Sequence, residues 1–172
     1  MAKSDAFYIR AKVTSNGTTF AQEDIDLGSF VNLGVSKSTL LRVHGIDTQI
    51  RPSSYPGSMS VDDAQFAIGW QLTTQSQTTM QYADDKSLVS SGRMQLYGDP
   101  NSTAHSLMNN DTVDMNPQSW KNGYLVGVDA LYFAVDNVGT TASGEVSVAI
   151  VIECTLETAT QASATALALS QQ

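Results

Sequence analysis

The chain has 172 residues, of which 41% are hydrophobic and only 15% are charged, and its formal net charge is -8. That length fits one domain of ordinary size. The charged fraction is well below the roughly 25% of an average soluble protein, and Ser, Thr, Asn and Gln take the place of the missing charge. This composition argues against a helical bundle, a coiled coil and a charged disordered chain.

Charge and cysteine content also limit the partners that the sequence predicts. Nine Lys and Arg residues in an acidic chain disfavour direct contact with nucleic acid, because phosphate binding needs clustered positive charge. The single cysteine, Cys154, excludes an intrachain disulfide. The first ten residues, MAKSDAFYIR, lack the apolar core of a secretory signal, and no run of about 18 apolar residues is present. We therefore expect synthesis in a cytoplasm without export.

Alternation of apolar and polar residues predicts the first strands in chain order. The N-terminal strand directs Phe7, Ile9, Ala11 and Val13 inward and its charged residues outward. A weaker strand covers Thr18–Leu27. Clearer alternation follows in Leu41–Gly45 and in Ala64–Thr74, where Trp70 is predicted to lie in the core.

The second half of the chain contains further predicted strands, three of them short and two of them long. Three short candidates are Gln77–Tyr82, Lys86–Ser90 and Arg93–Tyr97. The segment Tyr124–Val135 is apolar on both faces, which predicts a strand covered on both sides or a subunit contact on the second face. The closing strand, Gly144–Thr158, is long and places Cys154 on its inner face as a small core residue.

About eight strands separated by turn residues predict an all-β fold, an antiparallel sandwich or barrel. Two long irregular stretches, Arg51–Asp63 and Gly98–Gly123, interrupt it, and a short helix is possible at Ala104–Met108. We divide the chain into a sandwich, residues 1–158, and a C-terminal tail, residues 159–172. The tail carries no charge, so we expect it to order only against a partner, with a short helix possible.

The sequence contains no motif of a nucleophile elbow, a phosphate-binding loop or a zinc site. His44 is predicted on the polar side of a strand and His105 in a loop. Three pairs of carboxylates are calcium candidates, although solvated turn residues explain them as simply; they are Asp24 with Asp26, Asp62 with Asp63 and Asp84 with Asp85. We therefore predict no enzyme, no metal and no cofactor.

Trp120 is the aromatic residue whose role the sequence leaves open. It lies in the second long loop, where it fits a cap over the core, a ring that stacks on a sugar, or an anchor for an interface. The core cap is the simplest of these three interpretations. A carbohydrate-binding or receptor-binding module of a fibre or appendage therefore stays an alternative, and a sandwich-fold glycoside hydrolase or lyase is a further one.

The succession of strands, especially Phe66–Leu72, Tyr124–Val135 and the closing strand Val146–Leu156, resembles the viral single jelly-roll capsid proteins. Because the chain is acidic and its N-terminal region carries few basic residues, it looks more like the small major capsid proteins of membrane-containing, sphaerolipovirus-type icosahedral viruses. The resemblance implies an eight-stranded single jelly roll and a structural capsid subunit in the virion.

The same resemblance implies partners. They are other copies of the chain and a second capsid protein, near an internal membrane and without direct contact to nucleic acid. We assign the expected subunit contacts to apolar residues of the second loop, the last strand and the tail, namely Met115, Trp120, Val151, Leu167 and Leu169.

Overall fold

The structure, a computed structural model, describes residues 4–15, 17, 19–33, 35–54, 65–97, 108–139, 141 and 144–171, with the backbone alone at 108–113. Within these ranges the chain forms nine strands, one short 3-10 helix (Pro117–Ser119) and one α-helix. Their bounds are β1 Phe7–Thr14, β2 Ala21–Asp26, β3 Lys37–Pro52, β4 Gln65–Thr73, β5 Leu88–Tyr97, β6 Met108–Met115, β7 Tyr124–Val126, β8 Ala130–Val138, β9 Val146–Thr160 and α1 Gln161–Ser170.

Eight of these strands pair in the nested order of a rolled-up hairpin. The antiparallel pairs are β1 with β9, β2 with β8, β3 with β7, and β4 with β5. Two sheets result, with strand orders β1-β9-β3-β7 and β2-β8-β4-β5-β6. This nesting across two sheets is the jelly-roll arrangement, to which β6 adds one strand at an edge. The predicted fold class is confirmed.

The core lies between the two sheets because alternate residues of each strand point inward. On the four-stranded sheet the closing strand β9 contributes Val148, Ile150 and Ile152, and on the five-stranded sheet β4 contributes Phe66 and Trp70, all of them buried. The predicted inward positions of β1 are confirmed, since Phe7, Ile9 and Ala11 pack against this core and Val13 is part of it.

The segment Tyr124–Val135 is not one strand, which corrects the prediction for it. Its first residues form β7 in one sheet and its last ones belong to β8 in the other. At the crossing the Gly127 N–H donates to a side-chain oxygen instead of to a neighbouring strand. Val128, between the two strands, also packs on the core. The apolar pattern therefore continues across the break between β7 and β8 and does not reveal it.

The predicted strand at Gln77–Tyr82 is wrong. Residues 75–87 instead cross the outer face of the five-stranded sheet, and we call this segment the strap. Side-chain amides hold it: Gln71 Nε2 donates to the Thr79 carbonyl at 3.1 Å, and the Gln77 N–H donates to Gln22 Oε1 at 2.9 Å. In a β-strand these backbone groups would form hydrogen bonds with a neighbouring strand. Here they form hydrogen bonds with glutamine side chains.

Lys86–Ser90 and Arg93–Tyr97 belong mostly to one strand, β5, rather than to two. Gly92 lies between them within the strand, where it is paired with Trp70 of β4, and the Trp70 ring packs on it. A Cβ atom at Gly92 would lie 2.8 Å from three atoms of that ring. The glycine therefore marks a close packing contact here, not a turn.

The second long loop contains more regular structure than we predicted. Within Gly98–Gly123 the chain forms β6 and the 3-10 helix, and Met108, the end of the predicted short helix, begins β6. The first loop begins later than expected, since β3 continues to Pro52. Residues 55–64 and 98–107 lie outside the described residues, and with them Asp62, Asp63, His105 and the rest of that helix.

The boundary between sandwich and tail stays a prediction. The strand β9 continues to Thr160, and α1 follows directly, so the short helix that the tail sequence allows is present. The helix α1 lies on the chain's own four-stranded sheet, against β3 and β9.

Cys154 supports a prediction about alkaline stability. The thiol is fully buried, and burial, with the negative charge of Glu153 as a smaller cause, raises its pKa to about 12. An unfolded thiol ionises near pH 8.5, so the unfolded chain alone gains thiolate above that pH. The free energy of unfolding should therefore fall with rising pH by up to about 1.4 kcal/mol per pH unit from this group.

Urea titrations of wild type and Cys154→Ala between pH 8 and 11 measure this contribution, because the stability advantage of wild type should shrink over that range. In the same samples the native thiol should resist a thiol reagent at pH 8 and react once urea unfolds the chain. Fast labelling of the native protein would contradict the burial.

Candidate interaction surfaces

The helix α1 buries residues that the strand alternation directs away from the core. Leu40 on β3 and Glu157 on β9 are paired neighbours on the outer face of the four-stranded sheet, yet each is only 3% exposed. Thr160 caps the helix N-terminus, since its Oγ1 accepts a hydrogen bond from the Ser163 N–H at 3.3 Å. The tail thus covers one end of this outer face.

Beneath the tail, Arg42 and Glu157 form a bidentate ion pair. Arg42 Nε donates to Glu157 Oε1 at 2.6 Å and Nη2 donates to Oε2 at 2.8 Å, while Nη1 donates to the Asn122 carbonyl at 2.6 Å. The side chains are 15% and 4% exposed. The hydrogen bond to Glu157 raises the pKa of Arg42 despite the opposing effect of burial. Both side chains therefore remain charged at a site that is largely excluded from solvent.

A cavity of about 710 Å³ lies beside this ion pair, between α1 and the sheet. Its apolar wall comes from Leu40, Leu125 and Leu167, and Ser163 and the ion pair form part of its polar wall. Most of α1 therefore spans this cavity and does not pack directly on the sheet, because Ala164 is the only buried residue of the helix.

Gln171 fastens the end of the tail to the sandwich. Its side chain is almost fully buried, where Nε2 donates to the Leu125 carbonyl at 2.6 Å and Oε1 accepts from the Gly127 N–H at 2.9 Å. Its own carbonyl accepts from Thr74 Oγ1 at 2.8 Å. These hydrogen bonds connect the chain's end to both sheets, since Leu125 belongs to β7 and Thr74 directly follows β4.

We expect Gln171→Ala to free the tail without unfolding the sandwich. The change leaves the buried Gly127 N–H and Leu125 carbonyl without these partners, which costs about 1–3 kcal/mol. Hydrogen exchange should then speed up in α1 while the amides of β4 and β8 keep their protection. Gln161→Ala, at an exposed position on the same helix, is the matched control and should leave exchange in α1 nearly unchanged.

Trp120 is 38% exposed and tilts against Tyr124, with ring centroids 5.8 Å apart. The 3-10 helix before it is fixed to the edge of β3 by Gln118. The Ile46 N–H donates to Gln118 Oε1 at 2.8 Å, and Gln118 Nε2 donates to the Ile46 carbonyl at 3.2 Å. One side-chain amide thus pairs with the strand edge as a neighbouring strand does, and it fixes the place of Trp120.

The structure distributes the other predicted interface residues over several places. Val151 is half-buried and lines a cavity of about 370 Å³ on the outer face of the four-stranded sheet, together with Gln118. Leu167 is half-buried in the wall of the cavity under α1, and Leu169 on the same helix is 66% exposed. Met115 is half-buried at the end of β6, in the other sheet. Their role as an interface stays a prediction.

No sequence motif identifies the residues beneath and at the end of the tail, which are Arg42, Glu157 and Gln171. A signal for two of them was present. The doublet Leu40-Leu41 places an apolar residue on each face of β3, which indicates that something covers the outer face there. Nothing local in the sequence marks Gln171, because its partners are more than 40 positions away along the chain.

Two of the carboxylates that we considered for calcium, Asp85 and Asp26, have local partners. Asp85 accepts hydrogen bonds from the Ser87 N–H and hydroxyl at 2.8 and 2.6 Å, which lowers its pKa. Asp26 accepts from the Gly28 N–H at 2.7 Å. These are turn-stabilising contacts. Among the described residues no group of three or more His, Cys, Asp or Glu side chains is placed to hold a metal ion, and no described helix is long and apolar enough to cross a membrane.

His44 also has a structural partner. It lies beside a bulge in β3, at which the pairing with β9 shifts between Val43 and Gly45. Its Nε2 lies 2.8 Å from Thr155 Oγ1 on the neighbouring strand. The prediction that His44 lies on the polar face is confirmed, and the contact joins two strands of the same sheet.

No family model matches the sequence, and no curated protein matches it. Among solved structures the chain is similar to VP1 of Trichodysplasia spinulosa-associated polyomavirus in complex with GM1 oligosaccharide, with a TM-score of 0.48 and 10% identity over 89% of this chain and 94% of that one. For New Jersey polyomavirus VP1 the TM-score is 0.43 and the identity 7%, over 91% and 100% of the two chains. For Desmodium yellow mottle tymovirus they are 0.33 and 8%, over 91% and 88%.

This is a structural similarity to viral jelly-roll capsid proteins at low sequence identity. The jelly-roll assignment itself rests on the strand pairing of this chain.

Proposed function

We propose that this protein is a structural subunit of a viral capsid that assembles with copies of itself. The observation that carries the proposal is the nested strand order, because capsid domains are one of the principal classes of jelly roll. A fold does not by itself dictate a function, so the surface of the molecule has to support the same conclusion.

The tail supplies that support. It is uncharged over residues 159–172, and α1 presents Leu169 to solvent beside an apolar-walled cavity. An uncharged surface helix can enter a subunit contact without burying an ion. Many such modest contacts add up in a closed shell.

The finer parts of the proposal follow from the resemblance in the sequence. The chain acts as a small major capsid protein of a membrane-containing icosahedral virus, together with a second capsid protein, and is located in the virion. The net charge of -8 agrees with a shell in which this chain does not itself bind the genome. Catalysis is not part of the proposed role.

Sedimentation and electron microscopy of the purified protein test the proposal. We expect capsomers, sheets or particles for wild type. Leu169→Ser should lower the sedimentation coefficient of the assembled material and leave the thermal unfolding midpoint unchanged, because its side chain is mostly exposed. Leu167→Ser is the matched comparison, and it should lower the midpoint since Leu167 is half-buried. A wild-type chain that stays monomeric at every protein and salt concentration contradicts a capsid role.

A carbohydrate-binding module is the second candidate, favoured by the exposed face of Trp120 beside Tyr124. Aromatic faces of this kind stack on sugar rings. Binding of a glycan array by a stable monomer, abolished by Trp120→Ala and retained by Trp120→Tyr, would establish this function in place of the first.

A further inference from the structure

The cavity of about 710 Å³ between α1 and the four-stranded sheet is large for a molecule of this size. Protein interiors are close-packed and leave few voids larger than a water molecule. Polar contacts, and not apolar packing, hold the helix at both of its ends. It continues directly from β9 at Thr160, and the hydrogen bonds of Gln171 fasten its other end. The space beneath the helix is therefore built into the fold.

The lining of this cavity suits a flexible apolar chain. Leu40, Leu125 and Leu167 form its apolar wall. None of the described residues that line it is aromatic, so it lacks the flat ring on which a sugar or a nucleobase stacks. Pockets for small molecules have volumes of roughly 300–1,000 Å³ and combine mostly apolar walls with a few polar groups. A saturated alkyl chain is the ligand that leucine walls of this kind favour.

The charged residues of the lining favour an anionic head group. Two cations and one carboxylate line the cavity. Arg42 and Glu157 bind each other, so the charge that remains is that of Lys37. Lys37 is exposed, and no described carboxylate forms an ion pair with it. In a chain with a net charge of -8, the lining of this cavity thus has one positive charge in excess.

We propose that the cavity beneath α1 binds one single-chain anionic amphiphile of the fatty-acid class. The alkyl chain lies against the leucines, and the carboxylate lies at the rim beside Lys37. This site goes beyond the proposed function and does not depend on it, because one copy of the chain supplies all of its residues. A free fatty acid is favoured over a lipid within a bilayer, since an anionic membrane surface repels an acidic chain.

Calorimetric titration of the full chain at neutral pH tests the site with sodium octanoate, decanoate and dodecanoate, each below its micelle-forming concentration. We expect one ligand per chain, and each added CH₂ group that enters the cavity should tighten binding about fourfold. Dodecyltrimethylammonium has the same chain length as dodecanoate with a cationic head group, and it should bind more weakly. Adsorption governed by the net charge of the protein would give the opposite preference.

Ser163→Phe tests the position of the alkyl chain, because Ser163 is an exposed residue of α1 that lines the cavity. The added ring should displace part of the chain and weaken dodecanoate binding at least about tenfold, at about fourfold for each CH₂ group excluded. Ala162→Phe, at the neighbouring exposed position outside the lining, is the matched control and should bind like wild type. Circular dichroism should show the same fold for both variants.

Lys37→Gln tests the position of the head group. It should weaken decanoate binding up to about fivefold, the range of an exposed ion pair, and leave the binding of the neutral 1-decanol unchanged. Lys121→Gln removes the same charge at an exposed position outside the lining and should have little effect on either ligand. Hydrogen exchange then locates the ligand, since dodecanoate should slow exchange in α1 and leave the amides of β2 unchanged.

Three results would overturn the proposal. They are the absence of saturable binding for all three carboxylates, equal binding of dodecanoate by wild type and Ser163→Phe, and tighter binding of the cationic amphiphile than of dodecanoate. Binding to phosphatidylglycerol vesicles without binding of monomeric dodecanoate would indicate a membrane contact in place of this site, and it would overturn the proposal as well. The capsid role is tested separately by assembly, so either hypothesis can fail while the other stands.

Discussion

Glu157→Gln should lower the free energy of unfolding by about 3 kcal/mol, one of the two largest effects expected of a single change in this chain. Glutamine keeps the size of the side chain but removes the charge that balances Arg42. The guanidinium then stays beneath α1 with neutral partners, at a place where its side chain is only 15% exposed. Removing one member of a buried ion pair is costly because the other charge remains away from water.

Urea titration monitored by fluorescence measures this loss as a lower midpoint at an unchanged slope. Glu153→Gln is the matched control, since Glu153 lies on the same face of the same strand but is exposed. That change should alter stability by less than about 0.5 kcal/mol.

The double variant Arg42→Met with Glu157→Leu separates the cost of an unpaired charge from the value of the pair. Apolar side chains of similar size fill the space and bring no charge, so it should be more stable than Glu157→Gln, within about 1–2 kcal/mol of wild type. Equal stability of Glu157→Gln and wild type would mean that the tail does not shield the ion pair in solution.

Gly92→Ala should cost about 2–3 kcal/mol, although it adds a single methyl group. The added Cβ would lie 2.8 Å from Nε1, Cε2 and Cζ2 of Trp70, a distance that real Cβ atoms essentially never show. Trp70 is fully buried and packs against Phe133, with ring centroids 6.4 Å apart. The indole therefore has little space into which it can move away.

A double-mutant cycle with Trp70→Phe identifies the clash as the cause. Phenylalanine has one ring in place of the fused indole and lacks the indole edge formed by Nε1, Cε2 and Cζ2, which relieves the contact with the methyl group. The double variant should then lose at least 1 kcal/mol less than the sum of the two single losses, because the residues touch. Additive losses in urea titrations would place the cost of Gly92→Ala in the strand backbone, not in the packing of Trp70.

How far the sequence predicts this molecule differs between its parts. Strands with one buried and one solvated face, such as β1 and β9, follow from their alternation, because that pattern and the pleat have the same period of two. The same pattern gives a wrong prediction for the strap. Its residues alternate like those of a weak strand, but its backbone hydrogen-bonds to the side chains of Gln71 and Gln22. No local pattern predicts hydrogen bonds to side-chain amides that lie elsewhere in the chain.

The predicted interface shows the same difference. The tail sequence by itself identifies Leu169 as an interface candidate, because it is an apolar residue in a segment without charged neighbours. Arg42 and Glu157 are 115 positions apart, and only the pairing of β3 with β9 brings them together.

By itself, the sequence determined that this chain is a β-sandwich with a low charge density, a buried cysteine and an uncharged tail. These properties depend on composition and on neighbours within a few residues. The tertiary structure alone decided that the strands nest as a jelly roll, that the segment after Tyr124 divides between two sheets, and that the tail lies over an ion pair. Those features depend on contacts between distant residues, whose formation local periodicity does not encode.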